Sequence, residues 1–164
     1  SDSVITAWLA LSPAGVGNGG MRVMPGTHRG DVMDHEDRYD ANNLLTRGQE
    51  ISAPLDEANA RHMPLRAGEM SIHNYRLAHA SDANNGPDRR IGISMHFMPP
   101  DTVQIVGSWD SAALVRGQDT FGNFELTPIP CGDLDEDAVA FHGRATQAIR
   151  DVLYADAAEN TQKL

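Results

Sequence analysis

His79 and Arg90 are the residues whose types and spacing could carry chemistry. An imidazole is a good ligand for divalent iron. A planar guanidinium grips a carboxylate through two parallel, charge-assisted hydrogen bonds. A site that holds a metal and a dicarboxylic acid needs both groups close together. The two residues belong to one segment, GEMSIHNYRLAHASDANNGPDRRIGISMHFMPP, from Gly68 to Pro100. It reads as strand, turn-rich loop, strand. His79 closes the first half, SDANNGPD is the loop, and Arg89-Arg90 open the second strand. An antiparallel pair joined this way would bring His79 and Arg90 together although they are eleven residues apart. Spacing alone favours a plainer reading, in which His79 is a hydrogen-bonded core histidine and Arg90 a surface residue of a strand.

The rest of the chain supplies short strands to position them. Val4 to Leu11, VITAWLAL, is rich in β-branched and apolar residues and predicts a buried strand. The glycine-rich loop SPAGVGNGG leads into a short strand over Met21 to Met24, stopped by Pro25-Gly26. Gly30 to Ile51 is polar and without period, and its stretch DHEDRYDANN reads as a long loop or lid. A short helical turn is expected over Asp56 to His62, and a turn at Arg66-Ala67-Gly68. Further strands are expected over Glu69 to His73, Ile91 to Met98, and Val103 to Val106. Leu134, Ala138, Phe141, Ala145, Ile149 and Val152 then recur at three- and four-residue spacing. They predict an amphipathic helix from Asp135 to about Ala157, packed on the sheet and capped by Asp133 or Asp135. The tail AENTQKL should fray. These elements describe one domain over residues 1–164, mainly β with a sandwich or jelly-roll core and a C-terminal helix.

Composition narrows the function classes. A net charge of −10 opposes a general nucleic-acid binder, which must meet phosphates with basic patches, and opposes binding to anionic membranes. No apolar run approaches the ~20 residues that span a bilayer. With 5% aromatic residues, aliphatic side chains and Met must fill the core. The single cysteine, Cys131, rules out an intrachain disulfide and fits a reducing, cytoplasmic setting. It reads as a small half-buried residue before the helix.

Four blocks in one order resemble the phytanoyl-CoA dioxygenase family of Fe(II)/2-oxoglutarate oxygenases. They are VITAWLALSPAGVGNGGMRVMPGTHRG (Val4 to Gly30), NNLLTRGQEI (Asn42 to Ile51), the Gly68 to Pro100 segment, and RGQDTFGNFE (Arg116 to Glu125). The resemblance implies a double-stranded β-helix core, the cupin-like jelly roll. It implies that His79, in LAHAS, is the distal iron ligand and that Arg90 binds the far carboxylate of 2-oxoglutarate. By the same resemblance the Ser81 hydroxyl touches that co-substrate, and Trp8 lines its pocket, although Trp8 is equally at home as plain core. Arg89 should point to the opposite strand face.

The family completes its iron centre with a His-x-Asp pair on a strand shortly before the one with the tryptophan. Val4 stands almost at the start of this chain, so the expectation is an N-terminally truncated jelly roll, the C-terminal part of a longer protein. His35-Glu36-Asp37 has the right spacing but follows Trp8 and lies among polar residues, and it reads as a solvated acidic loop. His73, six residues before His79, would share its face on a regular strand. His28 reads as a turn residue and His96 as packing. The activity implied is hydroxylation of an aliphatic carbon of a small molecule with dioxygen. Two alternatives share these residues: a halogenase relative, and a jelly-roll binding module without a complete metal centre. A chain with one of the three ligands should hold Fe(II) weakly on its own.

Overall fold

A computed structural model describes residues 3–40, 43, 45 and 47–157. Its strands are β1 (Ile5–Ala10), β2 (Met21–Val23), β3 (His35–Asp37), β4 (Gln49–Ile51), β5 (Arg61–His62), β6 (Met70–Asn74), β7 (His79–Ser81), β8 (Gly92–Phe97), β9 (Ser111–Ala112) and β10 (Glu125–Leu126). One helix, α1 (Glu136–Leu153), follows. The chain divides into two compact units, Ser1–Glu36 with Ile51–Pro99, and Asp37–Glu50 with Pro100–Leu164.

The first unit holds two three-stranded sheets, ordered β6-β1-β8 and β5-β2-β7. β1 is central because its ITAWLA sequence presents a side chain to each face in turn and its backbone is paired on both edges. The buried residues are small or slender: Ala7, Ala10, Ala14, Met21, Val23 and Ala78, with Thr6 and Ser71. Alanines let neighbouring backbones approach closely. Gly68 closes the turn into β6 with a φ of +86°, in the left-handed region that favours glycine.

The expected hairpin between the His79 and Arg90 strands does not form. β6 and β8 both pair with β1, on opposite edges, and not with each other. After Asn74 the chain turns, with Leu77 N–H donating to the Asn74 carbonyl at 3.0 Å, and crosses to the second sheet. There His79–Ser81 becomes a separate strand, β7, antiparallel to β2. A threonine pins this crossing. Thr27 Oγ1 accepts from Ala78 N–H at 2.9 Å and donates to the Met24 carbonyl at 2.8 Å. Met24 N–H donates to the Ala78 carbonyl at 2.9 Å. Thr27 belongs to the PGTHRG turn, whose first glycine, Gly26, has a φ of +92°.

The expected strands over Val4 to Leu11, Met21 to Met24, Glu69 to His73 and Ile91 to Met98 all form, within one or two residues. Other expectations fail, among them that of a half-buried Cys131, which is exposed. The polar stretch read as a long loop contains a two-stranded pairing of β3 with β4. Arg47 holds it by donating to Asp37 Oδ2 through Nη2 at 2.6 Å and Nε at 2.8 Å. Val103 to Val106 is not a strand: Ile105 is 91% exposed, and its β-branched residues find no partner strand. Asn42, Leu44 and Thr46 of NNLLTRGQEI, and the whole of AENTQKL, lie outside the described residues.

The second unit is built on α1 and the short parallel pair of β9 and β10. Asp135 caps the helix by accepting from Ala138 N–H at 3.0 Å, as one of the two candidate caps predicts. Trp109 and Arg144 both donate to the Glu125 carboxylate, and the Arg144 guanidinium sits 4.5 Å from the Trp109 ring centroid. Phe141 meets the edge of Trp109 at 5.9 Å. The half-buried stripe of α1 is Ala138, Phe141, Ala145, Ala148 and Val152. Ile149 and Leu134, expected on that stripe, are exposed. Among the described residues no helix is long and apolar enough to cross a membrane.

Two tests follow from these contacts. Thr27→Val leaves the Ala78 N–H, on a residue only 7% exposed, without an acceptor. An orphaned buried donor costs about 1–3 kcal/mol. Urea denaturation should show a loss of that size for Thr27→Val and little for Thr27→Ser, whereas equal stability of the two variants would contradict the pin. Asp37 is held below the usual carboxylate range, first by its hydrogen bonds from Arg47. A carboxyl depressed in the folded state stabilises it above the unfolded pKa and loses that contribution as pH falls through the folded value. Asp37→Asn should therefore be less stable than wild type near about pH 6, and the difference should shrink progressively as pH falls below the ordinary carboxylate range. A difference that persists in acid would contradict this role.

Candidate functional site

Pairing on both edges of β1 sorts its neighbours by face. Thr6 lies opposite His73 and His96, Trp8 opposite Ser71 and Ser94, and Ala10 opposite Gly92. Directly opposed residues share a face, so these polar and aromatic side chains project together. The other face carries Ile5, Ala7, Leu9, Met70, Ile72, Ile93, Met95 and Phe97, all apolar, with Asn74 at one end. The groups capable of chemistry are therefore gathered on one side of the sheet. Thr6 Oγ1 and His96 Nδ1 are 3.0 Å apart, but His96 is exposed and not the packing residue expected.

Arg90 stands two residues before β8 starts and continues the parity of Gly92 and Ser94. Its guanidinium carbon lies 5.3 Å from the centroid of the Trp8 ring. Such a cation–π contact is worth about 0.5–2 kcal/mol, more as the cation loses water. Arg90 is half-buried and pairs with no carboxylate among the described residues. Held on one side by an aromatic face and unneutralised, it suits a bidentate grip on a carboxylate ligand. Arg89 is exposed, and its carbonyl accepts from Ser12 Oγ at 3.1 Å. Trp8 and Arg90 are thus brought together as one cluster.

His79 begins β7 in the second sheet of the same unit, with Ser81 two residues on. They lie opposite Val23 and Met21, and both are exposed. His79 Nδ1 is 2.8 Å from the Leu77 carbonyl. A carbonyl only accepts, so Nδ1 carries the proton and donates, leaving the Nε2 lone pair available. A second nitrogen fixed in this way is the usual support for a metal-binding histidine. The His73 ring lies 5.8 Å from that of His79, tilted by 58°. The two do not share a face of one strand as expected, since His73 lies on β6 and His79 on β7 of the other sheet, yet their rings are near each other. Burial pushes the His73 pKa down, assisted by the charges of His79 and His96. Its Nδ1 is buried without a hydrogen-bond partner.

This donor set suits part of a metal centre. His79 offers one imidazole nitrogen of the right tautomer, but among the described residues no three His, Cys, Asp or Glu side chains group to hold an ion. Asp37, of the His35-Glu36-Asp37 pattern, is committed to Arg47 and Tyr39. His28 sits in the 3-10 turn Thr27–Arg29, where Thr27 makes the structural bonds. Sequence reasoning missed Thr27 and Gly92. Thr27 carries no signal by type. Gly92 does, since a glycine inside a strand marks a close approach.

The family model described as phytanoyl-CoA dioxygenase matches residues 1–92, a span that includes Trp8, His79, Ser81 and Arg90. Peroxisomal phytanoyl-CoA dioxygenase from Bos taurus is 31% identical over 100 residues, which are 59% of this chain and 29% of that protein. The apo structure of the non-heme monooxygenase ThoJ is 31% identical with a TM-score of 0.79, covering 93% of this chain and 54% of that one. EvdO2 from Micromonospora carbonacea var. aurantiaca, complexed with 2-oxoglutarate, is 26% identical with a TM-score of 0.50, over 58% of this chain and 38% of its own. The chain therefore spans about a third of the bovine relative and about half of ThoJ. With more than half of its residues matched by the family model, the chain belongs to the phytanoyl-CoA dioxygenase family.

Proposed function

We propose that this chain contributes the co-substrate anchor and one metal ligand to an Fe(II)/2-oxoglutarate-dependent oxygenase that hydroxylates an aliphatic carbon of a small molecule. The carrying observation is Arg90: half-buried, stacked on Trp8, and without a carboxylate partner among the described residues. Support comes from the family match over residues 1–92 and from likeness to a monooxygenase and to a protein crystallised with 2-oxoglutarate. An iron ion held at the site would supply the coupling of 2-oxoglutarate and dioxygen to hydroxylation, one oxygen atom ending in succinate, with carbon dioxide released, and the other in the substrate C–O–H group.

The residues of this chain bind and orient. Arg90 grips the far carboxylate of the co-substrate with two parallel N–H donors, and the indole of Trp8 restrains the guanidinium. His79 presents Nε2 to the metal because Nδ1 is spent on the Leu77 carbonyl. The Ser81 hydroxyl, on the same strand, is a further donor to the co-substrate. The apolar flank of Trp8 reduces competition from water, which strengthens each charged contact. The exposed free thiol of Cys131 supports a cytoplasmic setting, and the net charge of −10 supports a small-molecule substrate over a nucleic acid.

Substituting the anchor tests this reading. Loss of two charge-assisted hydrogen bonds should raise the Michaelis constant for 2-oxoglutarate by about ten- to a hundredfold in Arg90→Ala. Arg90→Lys should recover little, because an ammonium cannot make the planar two-pronged contact. A wild-type Michaelis constant for 2-oxoglutarate in Arg90→Ala would refute the assignment.

A further inference from the structure

Gly92 lies one residue pair along from Trp8, opposite Ala10, on the face that carries Arg90. A Cβ placed on Gly92 would stand 2.2 Å from Trp8 Cζ2, 2.6 Å from Cε2 and 2.8 Å from Cη2. Ordinary carbon–carbon contact is about 3.5–4.0 Å. Even alanine would therefore force the indole away by more than the slack of a packed side chain. All three clashing atoms belong to the six-membered ring of the indole, so the bulk of the ring rests against the bare Cα of Gly92. The same indole meets the Arg90 guanidinium at 5.3 Å. Diagonal neighbours across an antiparallel pair are within reach of an aromatic side chain, and Trp8 uses that reach along the Ser94, Gly92, Arg90 row.

We propose that Gly92 is a positioning residue of the co-substrate subsite: it leaves the space in which Trp8 rests on β8, and Trp8 so placed sets the direction of the Arg90 guanidinium. The backbone of Gly92 is extended and needs no special conformation, so the requirement for glycine is one of space and not of φ. Gly92 acts through Trp8 and touches no ligand itself. This inference rests on the reading of Arg90 as the anchor for 2-oxoglutarate.

The test is a cycle of Gly92→Ala and Trp8→Leu, with two readouts. The first is the side-chain Nε–H resonance of Arg90 in a 15N NMR spectrum without ligand, assigned by its loss in Arg90→Ala. The Trp8 ring current should displace this resonance from the position of free arginine. Gly92→Ala should return it toward that position in the Trp8 protein and leave it unmoved in the Trp8→Leu protein. The second readout is 2-oxoglutarate affinity, titrated in the presence of Mn(II). It should fall by about tenfold in Gly92→Ala, the order expected when a desolvated cation–π contact is lost. An unmoved resonance in Gly92→Ala, or an equal shift in both backgrounds, overturns the proposal. If Gly92→Ala does not fold, rescue of folding by Trp8→Leu supports the clash and failure of rescue opposes it. If Arg90→Ala binds 2-oxoglutarate as tightly as the wild type, the anchor reading fails, while the resonance still decides on Gly92.

Discussion

Strand β1 is hydrogen-bonded on both edges, and that double ladder fixes which side chains of three strands share a face. A slip of one residue on the β6 edge would send His73, and on the β8 edge Gly92, to the side away from Trp8. The two faces differ in kind. One carries aliphatic residues such as Ile72 and Ile93, and the other carries threonine, serines, histidines and tryptophan. The alternation that stabilises the sheet also assembles the site.

The second sheet places the candidate metal donor, His79, by a different route. β7 has three residues, too few to define its own place. Its position comes from pairing with β2 and from Thr27, a residue 51 positions away from Ala78 in sequence. The tautomer of His79 is then set by a carbonyl two residues before it. The candidate ligand is thus held by backbone groups on one side, which leaves its other nitrogen outward. In the second unit, an equivalent economy places one carboxylate, Glu125, between Trp109 and Arg144 to tie β10 to α1.

The long strands, the helix and its cap were legible because each carries its own period or cap over five or more residues. The strand alternation of ITAWLA and GISMHF survives folding because tertiary pairing agrees with it. Of the short strands only β2, stopped by Pro25-Gly26, was legible. β3, β4 and β7 have three residues each, and no period can be read over so few. Val103 to Val106 shows the reverse case: β-branched residues propose a strand, but without a partner edge the ladder cannot form. The candidate site was legible by type but not by connection. His79 and Arg90 were found through their motifs, yet they lie on different sheets and not on one hairpin. The Trp8–Arg90 contact depends on register, and the role of Gly92 depends on a ring that reaches across strands. Neither is written in local sequence.

Arg90 and His79 are proposed to hold the co-substrate and the metal of an oxygenase. The most direct measurement is a crystal structure of the protein grown with Mn(II) and 2-oxoglutarate. The account predicts two parallel contacts of about 2.7–2.9 Å from the Arg90 guanidinium to the far carboxylate. It also predicts His79 Nε2 at roughly 2.0–2.2 Å from the metal, within the range of histidine–metal bonds. A structure with 2-oxoglutarate bound elsewhere, or with Arg90 turned to solvent and His79 Nε2 uncoordinated, would contradict it.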